Sequence, residues 1–249
     1  MIGGFMYRRT VGLGHRMNCP RFNPTITAQH RHICADNWDD IWVVGDVHGC
    51  QRELKLLLAK LEVGTEDLIV FVGDLIRKGP DNHGVVTLVR ESPNMISVRG
   101  NNEEKVIRGE KTVPDLTKED LMWLASLPVA ISWSGYLVVH AGVDPRKPLA
   151  GQTIDDLLSI RSLTPNGDYN PPFWFNQYDG AERIVFGHTV LENPFICSSV
   201  IGLDTGCVYG GTLTAYDCTR GRLISVEAER TVQQRSDEKF LDPLAGTTA

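Results

Sequence analysis

The most regular feature of the chain is a series of short apolar runs separated by amphipathic segments. The runs IWVV (41–44) and LIVFV (68–72) have the length and β-branched content of buried strands, and a glycine follows each of them. Between them, QRELKLLLAKLEV spaces four leucines at helical intervals, which predicts an amphipathic helix. A strand, a helix and a second strand in this order predict a layered α/β domain.

The alternation continues along the chain and then changes. GVVTLVRES and LTKEDLMWLASLP have helical patterns, and MISV (95–98) has that of a strand. Later come the predicted strands YLVV, RIVF, SVIGL and LTAYDC, with few helices between them, so the second half is richer in strands. We expect residues 1–38 to form an N-terminal extension, residues 39–230 one domain, and residues 231–249 a polar tail.

Composition narrows the class of protein. Of 249 residues, 42% are hydrophobic and 22% are charged, which is typical of a soluble globular protein and fits a cytoplasmic location. The net charge of −6 argues against a nucleic-acid partner, and no apolar run reaches the roughly 18 residues of a membrane span. The six cysteines form no C-x-x-C pair, so we expect reduced thiols and no disulfide framework.

Polar side chains with metal-binding chemistry follow five of the predicted strands. In chain order they are Asp46, His48, Asp74, Asn101, His140 and His188. Because ligands of layered α/β proteins gather beyond the carboxyl ends of strands, we expect these side chains to form one site. Carboxylates and imidazoles without a thiolate suit Mn²⁺, Fe or Zn²⁺. Six ligands exceed what one catalytic ion with open positions needs, so the sequence predicts two ions with one carboxylate bridging them.

The motifs GDVHG, GDLIRKG, GNNEE, HAG and GHT, in that order, resemble those of the phosphoprotein-phosphatase family of dinuclear metallophosphoesterases. The resemblance covers roughly residues 41–227 and is to a prokaryotic branch that holds serine/threonine phosphatases and diadenosine-tetraphosphate-hydrolase-like enzymes. It implies an α/β fold (α+β by some schemes), the calcineurin-like β-sandwich of two mixed sheets flanked by helices. It also implies a phosphatase in which a metal-bridging hydroxide attacks phosphorus.

The resemblance also implies roles for the metal ligands. Asp46, His48 and Asp74 are expected to hold the first metal, with Asp74 bridging to the second. The remaining ligands of the second metal are expected to be Asn101, His140 and His188. Two divalent ions are therefore the expected cofactors, with Mn²⁺ as the first expectation and Fe, Zn²⁺ or Ni²⁺ as alternatives.

Arg161, in the segment LLSIR, matches the arginine with which the family binds phosphate. A guanidinium binds two phosphate oxygens at once, a geometry that lysine cannot copy, so the resemblance implies a phosphate-binding and catalytic role. The alternative for Arg161 is a surface ion pair with Asp155 or Asp156.

Two motifs, GDLIRKG and GNNEE, depart from the family pattern. Arg77 stands where the family usually has aspartate, and Lys78 stands where it usually has arginine. Asn102 occupies the position of the histidine that is the family's expected general acid, which that aspartate orients. Both members of the acid pair are therefore absent together. We expect Lys78, with Arg77, to face the phosphate, and Asn102 to leave the departing group without a proton donor.

The missing acid bears on the substrate. Loss of a general acid costs about 10²–10⁴-fold in rate, and the cost is smaller for less basic leaving groups. The sequence therefore predicts a phosphoprotein or small-phosphoester phosphatase that favours aryl and phosphotyrosine substrates. One alternative is a hydrolase of dinucleotide polyphosphates, and another is a phosphate-binding pseudoenzyme, which only Asn102 suggests. No prediction of the oligomeric state follows.

Two further features belong to these alternatives. A dinucleotide needs aromatic rings for base stacking, and the segment PPFWFNQY offers four of them, although such rings more often pack in a core. His83, near the second motif, is a candidate replacement acid, with a solvated residue at a helix start as the favoured interpretation.

Overall fold

The computed structural model describes residues 29–167, 169–236 and 240–242. Its strands are β1 (His30–His32), β2 (Ile41–Val44), β3 (Leu68–Phe71), β4 (Met95–Ser97), β5 (Ala130–Trp133), β6 (Tyr136–Val139), β7 (Arg183–Phe186), β8 (Phe195–Ile196), β9 (Val200–Gly202), β10 (Thr212–Asp217) and β11 (Arg222–Glu227). Its α-helices are α1 (Gln51–Leu61), α2 (Asn82–Glu91), α3 (Asn101–Ile107), α4 (Lys118–Ser126) and α5 (Ile154–Ser159).

The strands form two mixed sheets. The five-stranded sheet has the order β11-β10-β2-β3-β4. β2, β3 and β4 run parallel to one another, and β10 pairs antiparallel with both β2 and β11. The six-stranded sheet has the order β1-β5-β6-β7-β9-β8, in which β6, β7 and β9 run parallel. Parallel strands need crossover connections, and α1 and α2 supply two of them.

The two sheets pack face to face. Val43 and Val70 of one sheet share a fully buried cluster with Val138 and Val185 of the other. Leucines of α1 and valines of α2 cover the outer face of the five-stranded sheet, while α5 packs on that of the six-stranded sheet. The predicted sandwich of two mixed sheets flanked by helices is therefore confirmed.

Several features at the ends of the described chain differ from the expectations. β1 lies within residues 1–38 and pairs with β5, so the six-stranded sheet extends into the predicted extension. Leu241, which lies in the predicted tail, forms a β-bridge with Leu191 of the predicted domain. The three-part division stays a prediction. Cys34 is disulfide-bonded, so the prediction that every thiol is reduced is wrong there.

No helix among the described residues has the length and apolar content needed to cross a bilayer. The aromatic segment PPFWFNQY contributes mainly to the core. Phe173, Trp174 and Phe175 are at most 2% exposed and pack against Phe186 of β7, so these three rings offer no surface for stacking a base.

Candidate metal centre

The ends of parallel strands from both sheets meet at one place. The loops after β2 and β3 carry Asp46, His48 and Asp74, and α3 begins at Asn101 shortly after β4. The loops after β6 and β7 carry His140 and His188. The structure therefore brings all six predicted ligands together. The ligand atoms of Asp46, His48 and Asp74 all lie within 4.8 Å of one another.

Asp74 lies between two of the histidines. His48 Nε2 is 3.6 Å from Asp74 Oδ2, and His140 Nε2 is 3.5 Å from Asp74 Oδ1. His140 Nε2 also lies 3.2 Å from Asn101 Oδ1, and the His140 and His188 rings are 4.9 Å apart. A carboxylate with one oxygen toward each imidazole has the position that a bridging ligand requires.

The imidazoles are oriented by backbone carbonyls. His48 Nδ1 donates to the Ile76 carbonyl at 3.1 Å, and His140 Nδ1 donates to the Val72 carbonyl at 2.8 Å. Each ring therefore presents the lone pair of its Nε2 to the site. Among the described residues, His188 Nε2 has no hydrogen-bond partner although it is buried. A buried acceptor without a partner fits a metal ligand.

The charges of the site also fit a bound cation. Burial lowers the pKa values of the three site imidazoles, that of His48 to about 3, so all three are neutral at pH 7 and offer lone pairs. Burial, together with the Asp204 and Asp74 carboxylates, raises the pKa of Asp46. Crowded buried carboxylates beside neutral imidazoles are stabilised by a divalent ion, which removes the repulsion among the anions.

The local backbone is strained where these side chains are presented. Around the site, five non-glycine residues have positive φ between 49° and 71°, namely His48, Asp74, Arg77, Lys78 and His188. Such conformations cost about 1–3 kcal/mol each and persist where the surrounding fold imposes them. They lie on the loops that immediately follow the strands, which suggests that the strain fixes the direction of each ligand.

Two glycines allow these loops to approach closely. A Cβ at Gly187 would collide with Asp46 Oδ1 and with Val72, and a Cβ at Gly100 would collide with Asp74. Only a residue without a side chain fits at either position, because the neighbour is itself buried. The His188 backbone N–H, next to Gly187, donates to Asp46 Oδ1 at 3.1 Å and so joins ligand loops of the two sheets.

Glu103 supports the loop that carries Asp74. This fully buried carboxylate accepts from the backbone N–H groups of Asp74 (2.9 Å), Ile76 (3.2 Å) and Gly100 (2.8 Å). Burial and the Asp74 carboxylate raise the pKa of Glu103 to about 8, against the effect of these three donors. The fourth residue of the motif GNNEE is thus tied to the loop of the second motif.

A chain of hydrogen bonds occupies the place of the absent acid pair. The Arg77 guanidinium donates through Nη1 to the Asn102 amide oxygen, and Asn102 Nδ2 donates to Asp74 Oδ2. The Asn102 backbone N–H also donates to Asp74 Oδ1 at 2.9 Å. Asn102 therefore holds the central carboxylate and presents no titratable proton.

Lys78 lies against the ligands themselves. Its Nζ is 2.7 Å from His48 Nε2 and 5.2 Å from the centre of the Tyr209 ring. A metal ion on His48 and this hydrogen bond use the same lone pair, so only one of them forms at a time.

The site opens into a cavity of about 220 Å³. The cationic side chains that line it are Arg77, Lys78, Lys105, Arg161 and Arg235. Arg161 stacks on the Tyr169 ring at 4.8 Å, and its Nε has no hydrogen-bond partner among the described residues. Burial lowers the pKa of Arg161, which indicates that its charge lacks full solvation. Asp156, the alternative partner, pairs with Lys147 at 2.7 Å.

Some candidates lie elsewhere and some cavity residues were not anticipated. His83 Nδ1 is 2.7 Å from Asp120 Oδ2 of α4, and His83 does not line the cavity. The buried carboxylate of Asp204 lines the cavity, as do Tyr209 and Arg235. Asp204 follows β9 as the six proposed ligands follow their strands, so the sequence pattern could have indicated that it lies near the site.

Comparisons with known proteins agree with this geometry. The family model described as calcineurin-like phosphoesterase matches residues 40–226. "Serine/threonine-protein phosphatase 1" of Salmonella typhimurium is 32% identical over 74% of this chain and 94% of its own length. The symmetrical bis(5'-nucleosyl)-tetraphosphatase of Ralstonia nicotianae is 29% identical over 81% of this chain and 95% of its own length.

A solved structure is also similar. Its protein carries a provisional assignment as a diadenosine tetraphosphatase, and it aligns with a TM-score of 0.74 and 30% identity. The alignment covers 80% of this chain and 97% of that one.

Proposed function

This chain belongs to the calcineurin-like phosphoesterase family, and from that premise we propose that it is a metal-dependent hydrolase of phosphoanhydrides, with dinucleotide polyphosphates as its substrate class. The observation that carries the proposal is the arrangement of Arg77 and Asn102 beside Asp74. A fixed cation and an amide stand where a proton donor is expected. Such a site suits a leaving group that departs as an anion.

Leaving-group chemistry gives the reason. A serine alkoxide is strongly basic and needs a proton as it leaves, whereas a tyrosyl phenolate has a pKa of about 10. A phosphate group, whose second pKa is about 6, needs no proton at neutral pH. The absence of an acid therefore costs least for a phosphoanhydride. The several cations around the cavity also match the charge of a polyphosphate chain.

Calcineurin-like phosphoesterases use a dinuclear divalent metal centre, and the donor set of this site fits one. We propose Asp46, His48 and Asp74 for one ion, and Asp74 with Asn101, His140 and His188 for the other. Bound there, divalent ions supply a nucleophile at neutral pH and neutralise charge on the transferring phosphoryl group. Mn²⁺ remains the first expectation for their identity.

The chain's own side chains provide the remaining interactions. Arg161, stacked on Tyr169 and incompletely solvated, is positioned to bind phosphoryl oxygens in two-pronged fashion. Lys78 supplies a second cation once a metal takes the His48 lone pair. Arg77 faces the same cavity and stabilises charge on the departing oxygen without transferring a proton.

A second candidate function is hydrolysis of phosphomonoesters, with aryl and phosphotyrosine substrates ahead of phosphoserine. Its support is the similarity to a serine/threonine phosphatase and the same missing acid. A phosphate-binding pseudoenzyme has less support, because the six ligands are assembled and a buried imidazole nitrogen lacks a partner among the described residues.

A substrate panel separates these functions. The purified protein with Mn²⁺ would be assayed for kcat/KM on diadenosine tetraphosphate, p-nitrophenyl phosphate, and matched phosphotyrosine and phosphoserine peptides. We expect the values to fall in that order, and Asp46→Asn to remove all four activities together. Faster turnover of the phosphoserine peptide than of the dinucleotide would refute the proposal. Loss of only some activities in Asp46→Asn would indicate a contaminating enzyme.

A further inference from the structure

We infer that Arg235 forms a second phosphate subsite, which binds the phosphate next to the one being cleaved and so selects polyphosphates over monophosphates. The inference rests on the proposed function for its biological meaning, and it concerns a residue that lies in the predicted polar tail. The supporting observations are the position of Arg235 in the cavity, its aromatic support and its place relative to Arg161.

Arg235 reaches the cavity because the segment before it is fastened to the site. The backbone N–H groups of Val232 and Gln233 both donate to the Val208 carbonyl, at 3.1 Å and 3.0 Å. Val208 belongs to a short 3₁₀ turn, Cys207–Tyr209, that closely follows Asp204 on the chain. The C-terminal segment is thus attached to a loop of the metal centre, and it delivers the Arg235 side chain into the cavity.

Aromatic rings hold the guanidinium in place. Arg235 Cζ lies 4.9 Å from the centre of the Tyr209 ring, 5.5 Å from that of Tyr169 and 5.9 Å from that of Phe240. Its Nη1 donates to the Tyr209 hydroxyl at 3.3 Å. Stacking on rings fixes the plane of a guanidinium and so orients the donors at its edge. A preorganised cation of this kind loses little entropy when it binds a phosphate.

The two arginines line the same cavity as the proposed metal ligands. Both guanidiniums contact the Tyr169 ring, from 4.8 Å and 5.5 Å. Two guanidiniums on one ring offer two binding positions to a ligand with two or more phosphates. The proposal places the transferring phosphate on Arg161 and the next phosphate on Arg235.

The subsite can be tested by equilibrium binding, without reliance on turnover. Methylenebisphosphonate carries two phosphonate groups that the enzyme does not cleave, and orthophosphate is the single-group reference. Both would be titrated calorimetrically into Mn²⁺-loaded protein with equal Mn²⁺ in cell and syringe. We expect Arg235→Ala to bind methylenebisphosphonate about 10- to 100-fold more weakly, which is the effect of losing one charge-assisted contact. We expect its binding of orthophosphate to weaken by about threefold or less.

Matched variants guard against a structural explanation. Arg235→Lys keeps the charge without the planar fork, so we expect partial recovery of bisphosphonate binding. Arg230→Ala removes an exposed cation from the same segment and outside the cavity, so it should bind both ligands as the unaltered protein does. Arg235→Gln, with a thermal melt for each variant, provides a second removal of charge if the alanine variant fails to fold.

The outcomes separate the subsite from the proposed function. Equal weakening of both ligands in Arg235→Ala and Arg235→Gln, or no change in either, would overturn the subsite. If the unaltered protein cleaves p-nitrophenyl phosphate but not diadenosine tetraphosphate, the proposed function fails. The ratio of the two binding constants would still decide the role of Arg235.

Discussion

Restoring the absent acid pair tests the interpretation of Arg77 and Asn102 most directly. The substitution Asn102→His places an imidazole beside Asp74, and Arg77→Asp places a carboxylate where a cation now contacts residue 102. A general acid contributes about 10²–10⁴-fold to rate. We therefore expect the double variant to gain up to about that factor in kcat/KM on a phosphoserine peptide. The nitrophenolate of p-nitrophenyl phosphate leaves without a proton, so on this substrate we expect a gain of about tenfold or less.

The single substitution Asn102→His should gain little, and the structure supplies the reason. Arg77 is in direct hydrogen-bond contact with the side chain at position 102. Two like charges about 4 Å apart repel by about 4 kcal/mol at an effective dielectric constant of 20, which corresponds to about three pKa units. Arg77 is partly exposed, so solvent reduces this value, but even half of it leaves the imidazole without a proton at neutral pH.

The backbone favours the second substitution. Arg77 has a φ of 71°, a conformation that aspartate and asparagine adopt more readily than arginine does. Arg77→Asp should therefore fold without added strain. Arg77→Asn combined with Asn102→His is the matched control, since it removes the same cation and supplies no carboxylate to orient the imidazole.

The assay is a series of aryl phosphates with leaving-group pKa values from about 7 to about 10, extended by matched phosphotyrosine and phosphoserine peptides. The logarithm of kcat/KM, plotted against leaving-group pKa, should fall steeply for the unaltered protein and become flatter for the double variant. A flat plot for the unaltered protein would mean that another group donates the proton, and the reasoning about Asn102 would then be wrong.

Three further predictions concern the phosphate clamp, the loop contacts and pH. Arg161→Ala should lower kcat/KM for a phosphomonoester by about 10- to 100-fold and Arg161→Lys by less; an unchanged value would contradict the assignment. Gly187→Ala should displace Asp46 and lower the Mn²⁺ bound per chain, whereas Gly64→Ala, whose nearest neighbour is 3.7 Å away, should bind normally; equal binding by both would show that the loop adapts. In chelator, thermal melts should show that the buried imidazoles lower stability as pH falls from 7 to 5, because their folded pKa values lie below the unfolded value of about 6.5 and protons therefore bind the unfolded chain; the raised pKa values of Asp46 and Glu103 act in the opposite direction. Between pH 7 and pH 5 the melting temperature of His188→Asn should therefore fall less, or rise more, than that of the unaltered protein, and an equal change in both would contradict the prediction.

The local pattern predicted the strands that precede the metal ligands, because each is a short, mainly apolar run, and three of them, IWVV, LIVFV and RIVF, are followed directly by a glycine. β2 and β7 are examples whose predicted and observed limits coincide. The pattern failed where pairing partners, and not local composition, decide the structure. β1 reads HRH and is a strand only because it pairs with β5, and β11 is largely exposed at the sheet edge. α3 begins at a proposed ligand, Asn101, in a polar segment without an apolar face that signals a helix.

The cavity shows the same division between local and distant causes. Asp204 follows a predicted strand, so its position could be anticipated from the reasoning applied to Asp46. Arg235 could not be, because its segment is as polar as a solvated tail and its ring partners, Tyr169 and Tyr209, lie 66 and 26 residues earlier in the chain. The substrate remained open for a similar reason, since the motifs describe the ligands and not the far side of the cavity.

The division of ligands between two sheets has a consequence for how the protein matures during translation. Four proposed ligands follow strands of one sheet and two follow strands of the other, while the first sheet needs β10 and β11 for completion. A nascent chain that has emerged only as far as Asn101 has four of the ligands but an unfinished sheet. Ion capture with the full ligand set thus waits until most of the chain has left the ribosome. A chain that binds both metal ions has therefore completed its synthesis and packed its two sheets together.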